Sequence, residues 1–262
     1  MREIPRIIHY CWFGGAEPPE EVKRCIKSWE QHCPGYQIIR WDEANYDYTK
    51  YTFAKEAYEQ KKWAFVSDVA RLDVVYQYGG IYLDTDVELV KPIDFLLEEQ
   101  AFMGIEKGRF VATGLGFGAQ AGHKLIAENL DAYSQMKFIM NDGNLNLIPC
   151  PRVTTTILEQ YGFKRKDEMQ IIEGIKIFPS EYFCPMLLSD GSAEITNKTI
   201  SIHHYAGTWT SDVEKRGVQK RRFIYTHFGK KWLSIYDGFV LLKTSGARAF
   251  IKRCKEIIWK QT

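Results

Sequence analysis

The chain has 262 residues, of which 45% are hydrophobic and 26% charged, and a net charge of +2. This is a globular composition. It excludes a disordered or fibrous chain, and no apolar run approaches the ~20 residues of a membrane-spanning helix. The charge is uneven: residues 212–262 hold thirteen Lys and Arg against four Asp and Glu, which leaves an acidic body and a basic tail.

In chain order, Ile4–Phe13 is apolar and β-rich and runs into Gly14-Gly15, which predicts a strand and a sharp turn. Pro18-Pro19-Glu20-Glu21 opens a helix with Val22, Cys25, Ile26 and Trp29 as its apolar stripe. Tyr36–Trp41 reads as a second strand. The chain therefore begins βαβ, the opening of an α/β fold on a parallel sheet. Helices are predicted over Tyr51–Gln60 and Ser67–Tyr78, the second with Ser67 as N-cap and Gly79-Gly80 as its stop. Ile81–Leu83 is a short buried strand that enters Asp84-Thr85-Asp86, and Val87–Val90 is another. Ala101–Ile105, Val111–Ala119, Ile171–Phe178 and Thr199–His204 read as strands, and His123–Met136 and Arg152–Tyr161 as helices. From Val213 the pattern is helical and basic. The expected organisation is one domain over residues 1–211 with a helical appendage over 212–262.

Six cysteines (Cys11, Cys25, Cys33, Cys150, Cys184 and Cys254) form no CxxC and no zinc-like or disulfide-like spacing. The N-terminal stretch has no apolar signal core. The cysteines are thus read as reduced thiols and the protein as cytoplasmic.

Asp84-Thr85-Asp86 carries the chemistry. In an extended segment, residues i and i+2 point to one side, and ligands of open α/β sheets gather beyond the carboxyl ends of strands. Two carboxylates suit Mg²⁺ or Mn²⁺ whose other ligands are water and diphosphate oxygens. Taken alone, the pair is weak evidence and reads more readily as a solvated acidic turn; its context decides otherwise. One helix earlier, Asp68 and Arg71 share a helix face. They are either a surface ion pair or an acceptor for a sugar hydroxyl beside a donor to hydroxyl or phosphate.

The run SDVARLDVVYQYGGIYLDTDVELV, residues 67–90, with IPRIIHYCWFGG, residues 4–15, resembles glycosyltransferase family 32. That family includes yeast initiating mannosyltransferases and bacterial polysaccharide-synthesis enzymes, and the large clostridial glucosylating toxins share a similar pattern. The resemblance implies a GT-A fold with a mixed central sheet, a nucleotide-sugar donor, a divalent metal and retention at the anomeric carbon. It implies that Trp12 stacks on the donor base, and that Asp68 and Arg71 contact the donor sugar and a phosphate. Asp84 would meet ribose or sugar hydroxyls, and metal through water, while Asp86 would bind metal directly. A further ligand is expected from His203-His204-Tyr205-Ala206-Gly207-Thr208-Trp209, with His204 on the metal, His203 on the opposite face, and Trp209 donating to a phosphate oxygen. Imidazole beside carboxylates favours Mn²⁺ over Mg²⁺.

Arg71, with Lys215 or Arg216, would stabilise the leaving diphosphate, and no residue stands out as a nucleophile. Thr113–Ala119 is glycine-rich but lacks the P-loop Lys-Ser/Thr and the Rossmann spacing. It is read as a close-packed strand and loop beside the sugar site, and Asn141–Asn146 and Pro149–Thr156 as facing the acceptor. The basic tail interleaves Lys243, Arg248, Lys252 and Arg253 with Phe250, Ile257 and Trp259. It either lies on an anionic membrane surface or packs its apolar side on the body.

The expectation is a metal-dependent glycosyltransferase of bacterial surface polysaccharide or capsule assembly. A UDP-sugar is the favoured donor, GDP-mannose the alternative, and an oligosaccharide or lipid-linked saccharide the acceptor. A nucleic-acid-binding module using the basic end is the rival outside enzymes. It predicts steep salt dependence and leaves the acidic pair unexplained, so no nucleic acid is expected.

Overall fold

The computed structural model describes residues 3–106, 109–185, 193–205 and Tyr236. The chain divides into two compact units, residues 1–186 with 194–209, and residues 187–193 with 210–262. All the elements below belong to the first. Trp209, Lys215, Arg216 and the basic tail lie outside the described residues.

The strand order of the main sheet is β2-β1-β3-β7-β5-β9-β8, with β6 paired to β5. Strand β1 (Ile7–Cys11) lies parallel to both β2 (Gln37–Trp41) and β3 (Gly80–Tyr82). Helix α1 (Glu20–His32) makes the first crossover, and α2 (Thr52–Glu59) and α3 (Trp63–Tyr78) the second. Strand β7 (Phe117–Ala119) runs antiparallel to β3 and to β5 (Ala101–Ile105), while β9 (Ile175–Phe178) is parallel to β5. The class is α/β with a mixed sheet, as expected. The short strand β4 (Val87–Leu89) leaves the main sheet and pairs antiparallel with β10 (Ser201–His203).

Alternation along β1 divides the core. Ile8 faces a cluster with Trp29 of α1, Leu83, Val87 and Leu89, while Cys11 faces the opposite cluster with α2 and α3. Both faces of the sheet are thus covered, as parallel strands require.

Three expectations need correction. Helix α3 begins at Trp63, so Ser67 is interior rather than N-cap, and its hydroxyl donates to the Trp63 carbonyl at 3.1 Å. Phe65 and Val66 are buried, and burying them as helix extends the element one turn toward the N-terminus. The strand read over Val111–Ala119 is broken into β6 (Val111–Ala112), a 3-10 turn over Thr113–Leu115, and β7. The break comes at Gly116, whose φ of +119° is open only to glycine. Ile171–Phe178 is a hairpin of β8 (Gln170–Ile172) and β9, turned by Glu173-Gly174 with φ of +47° and +82°. Two consecutive positive φ values are the signature of the tight hairpin turn. Helices α4 (Lys124–Ser134), α5 (Cys150–Gln160) and the short α6 (Ser180–Phe183) complete the described unit. None of the described helices is long and apolar enough to cross a membrane.

Candidate active site

The chain reverses where α3 ends. Gly79 and Gly80 adopt φ of +67° and +105°, and a Cβ at Gly80 would lie 2.8 Å from the Ile7 carbonyl. Only glycine lets β3 seat against β1 at that separation. Beneath the turn, His9 bonds the Gly79 carbonyl through Nε2 at 2.8 Å and accepts from the Trp41 indole through Nδ1 at 3.1 Å. Burial holds its ring below the usual imidazole pKa. It is a neutral structural histidine that fixes the seam from which α3 and β3 diverge.

Asp84, Thr85 and Asp86 follow β3 at its carboxyl end. They are not extended: the Val87 amide donates to the Asp84 carbonyl at 3.0 Å, closing a β-turn. The carboxylates still converge, because the turn folds them back toward each other. Donor atoms of Asp84, Asp86 and His203 all lie within 4.8 Å of one another. The His203 Nε2 to Asp86 Oδ1 distance is 3.1 Å, and His203 Nδ1 is buried without a hydrogen-bond partner among the described residues. Burial disfavours a charged His203 ring, but the Asp86, Asp84 and Glu106 carboxylates together outweigh it and the ring's pKa is raised.

The expected ligand, His204, is elsewhere. Directly opposed residues of an antiparallel pair point to the same side. His203 opposes Val87, which is buried. The His204 amide continues the ladder to the Asp86 carbonyl, so its ring turns to the other face and meets Glu88 Oε2 at 2.7 Å. His203 takes the position that the sequence reading gave to His204.

Asp68 and Arg71 are brought to the same cluster, and they are buried rather than a surface pair. Arg71 Nη2 lies 3.0 Å from Asp68 Oδ1 and 3.1 Å from Asp84 Oδ1. Its Nε donates to the Ser67 carbonyl and its Nη1 to the Cys150 sulfur. Its guanidinium carbon stands 5.0 Å from the centroid of the Tyr82 ring, whose hydroxyl donates to Asp84 Oδ1 at 3.0 Å. Burial pushes the Asp68 carboxyl up to about 6, although Arg71 opposes it. Asp84 is raised by burial and by Asp86, again against Arg71.

The glycine-rich segment packs against the acidic cluster. A Cβ at Gly114 would fall 2.5 Å from Asp84 Oδ2 and 3.2 Å from Arg71 Nη1. Trp12 stands one residue past β1, beside this strand end, half-buried, its indole donating to the Ala16 carbonyl at 2.6 Å.

The sequence reading missed three neighbours of the cluster. Tyr82 was within its reach, since the i, i+2 rule applied to Asp84 and Asp86 also links Tyr82 to Asp84. Cys150, at the N-terminus of α5, and Glu106, just past β5, gave no local signal. Glu106 is raised by burial against the pull of His203.

The donor set fits a divalent ion. One imidazole and two carboxylates clustered within 4.8 Å can meet one cation at the usual ~2.0–2.4 Å bond lengths, and His203 has a ring nitrogen to spare.

Residues 19–103 match the family described as glycosyltransferase sugar-binding region containing DXD motif. The chain is 32% identical over 114 residues to inositol phosphoceramide mannosyltransferase 1 of Schizosaccharomyces pombe, a match covering 39% of this chain and 34% of the relative. It is 32% identical over 75 residues to human alpha-1,4-N-acetylglucosaminyltransferase, covering 28% of this chain and 21% of that one. The matched region thus spans about a third or less of the length of these curated relatives. Among solved structures, a PaToxG glycosyltransferase superimposes with a TM-score of 0.48 at 19% identity, covering 61% of this chain and 69% of that one.

Proposed function

We propose that this chain, which carries the DXD-containing glycosyltransferase sugar-binding region over residues 19–103, is a metal-dependent glycosyltransferase. The observation that carries the reading is the convergence of Asp84, Asp86 and His203 beside the buried Asp68–Arg71–Asp84 ion cluster. Asp84, Asp86 and His203 would hold the cation, and mixed nitrogen and oxygen ligands favour Mn²⁺ over Mg²⁺. When bound, the cation neutralises charge on the departing diphosphate. Arg71 is locked by Asp68, Asp84 and the Ser67 carbonyl and presents a preorganised positive charge to the donor. Asp68 and Asp84 accept from sugar hydroxyls. Trp12 offers an aromatic face to the base.

The donor is proposed to be a UDP-sugar, on the likeness of the Trp12–Gly15 strand end to that of the glucosylating toxins. The acceptor is proposed to be a saccharide or lipid-linked oligosaccharide of surface polysaccharide assembly, handled in the cytoplasm or on the inner membrane face. One observation favours a second reading: the mannosyltransferase relative supports GDP-mannose as donor.

A thermal-shift panel of UDP and GDP with and without Mn²⁺ tests the proposal, since ligands of the native state raise apparent stability. Stabilisation by UDP only with Mn²⁺ is expected. A shift with GDP alone moves the assignment to the second reading, and a flat panel overturns both.

A further inference from the structure

Hydrogen bonding fixes the His203 ring at one end only. Its Nε2 lies 3.1 Å from Asp86 Oδ1, while its Nδ1 is buried without a hydrogen-bond partner among the described residues. Metal-binding histidines ordinarily give their second ring nitrogen to a carboxylate or carbonyl, which sets the orientation of the ring. Without that brace the ring is held by packing, and Tyr205 supplies it. The Tyr205 ring stands nearly perpendicular to His203, at 79°, with centroids 4.1 Å apart. That is nearer than the ~4.5–7 Å of most aromatic pairs.

Tyr205 is itself held there against its backbone preference. Its φ of +50° lies in the left-handed region, where Cβ crowds the following carbonyl oxygen. Its side chain is 46% exposed, so burial of its own surface does not explain the strain. At the far end of the ring, the hydroxyl meets the Cys184 sulfur at 2.9 Å. Cys184 caps α6, its amide donating to the Ser180 carbonyl at 2.8 Å, and it is buried in the core cluster that contains Trp29 and Val87. The Ile200 amide donates to the Tyr182 carbonyl at 2.7 Å, which ties α6 to the segment entering β10. Strain at a bulky residue persists only where the surroundings over-determine it, and it gathers at ligand clamps.

We infer that Tyr205 is a positioning residue that sets the His203 ring toward the Asp84 and Asp86 carboxylates, with Cys184 as its anchor. The inference rests on the proposed metal-dependent reading and deepens it by naming what prepares the imidazole for the cation. Packing replaces the second hydrogen bond. With the ring fixed beforehand, less conformational freedom is lost when a cation arrives. Without the Tyr205 ring, His203 is free to leave the carboxylates, and the cation must reorder it on binding.

The test titrates Mn²⁺ alone into the whole chain as wild type, Tyr205→Phe, Tyr205→Ala, Tyr205→Gly, His203→Ala and the double variant His203→Ala with Tyr205→Ala, each with a melting curve. Tyr205→Ala is expected to bind Mn²⁺ about 10–100-fold more weakly, the range of groups that orient a metal ligand. Tyr205→Gly also lacks the ring but relieves the backbone strain, so it should melt above Tyr205→Ala and yet bind Mn²⁺ no better. Tyr205→Phe keeps the ring and loses only the bond to Cys184, so it should recover most of the affinity. In the His203→Ala background, Tyr205→Ala should cause no further loss, because it acts through that ring. The inference is overturned, and the metal reading left standing, by unchanged affinity in Tyr205→Ala, by affinity that tracks melting temperature across the variants, or by a Tyr205→Ala loss that persists in full without His203. Failure of wild type to bind Mn²⁺, or wild-type binding by His203→Ala, removes both.

Discussion

Gly114→Ala is the smallest change that presses on the site. The backbone there is not in the left-handed region, so alanine carries no conformational penalty and the effect is purely steric. The added carbon would sit 2.5 Å from Asp84 Oδ2 and 3.2 Å from Arg71 Nη1. Nonbonded carbon contacts rest at about 3.5–4.0 Å, and carbon–oxygen contacts slightly closer, so Asp84 must retreat by roughly 0.7–1 Å. It has little room to do so, because Tyr82 and Arg71 both grip its Oδ1. Overpacking of this kind costs about 1–3 kcal/mol of stability, while a displacement near 1 Å at a reacting geometry costs roughly 10²-fold in rate. The expected variant is folded, melts a few degrees lower and loses about two orders of magnitude in kcat/KM. The assay is release of nucleoside diphosphate from the donor that the thermal-shift panel identifies, with a melting curve for each preparation. A well-folded Gly114→Ala enzyme turning over at the wild-type rate would mean that Asp84 takes no part in catalysis.

Three further outcomes are expected. His203→Ala should weaken Mn²⁺ binding by at least 10²-fold, a larger effect than the 10–100-fold typical of outer partners, while His204→Ala should bind as wild type; the reverse ranking by titration would restore the original assignment. Because the buried Asp68 carboxyl titrates at about 6 and an unfolded Asp near 3.9, the native state holds the extra proton between those values. Stability therefore falls as pH rises from about 4 to 6, by up to ~3 kcal/mol, and Asp68→Asn should flatten that slope in urea melts at pH 4.5 and 7; parallel slopes would contradict it. Trp12→Ala should weaken binding of the free nucleotide by calorimetry, and unchanged affinity would exclude stacking on the base.

Much of the site was legible because it is local. Asp68, Arg71, Asp84 and Asp86 fall within 19 residues, on a helix and a strand end joined by two glycines, and short-range spacing places them together. What was misread depends on distant pairing. The choice between His203 and His204 is set by the β4–β10 register, in which one residue of slip moves every side chain to the other face. Nothing in residues 199–204 alone states that register. The same holds for Cys150 of α5, which meets Arg71 across 79 residues of sequence. Ser67 looked like an N-cap since serine favours that position. The burial of Phe65 and Val66 in the tertiary structure overrode the preference.

The location of the cluster explains why its charges can be kept. Asp68 and Arg71 project from α3, which packs in one core, and the acidic turn leads into β4, which packs in the other. The site is therefore assembled only when both faces of the sheet are in place, and β10 must close on β4 before His203 arrives. Among the described residues two carboxylates, Asp68 and Asp84, contact the Arg71 guanidinium, and Asp86 pairs with His203. Burial raises the first two above the usual carboxylate range. Arg71 alone leaves the Asp68 and Asp84 pair short of positive charge, and buried charge without compensation is expensive. The protein can relieve the imbalance with a proton on an aspartate or with a cation, and a cation displaces that proton. If the proposed metal binds, its binding and the loss of a proton are coupled, and affinity is expected to weaken as pH falls toward the raised carboxyl values. On the proposed metal-dependent reading, the imbalance that makes the cluster costly to bury would favour the cation.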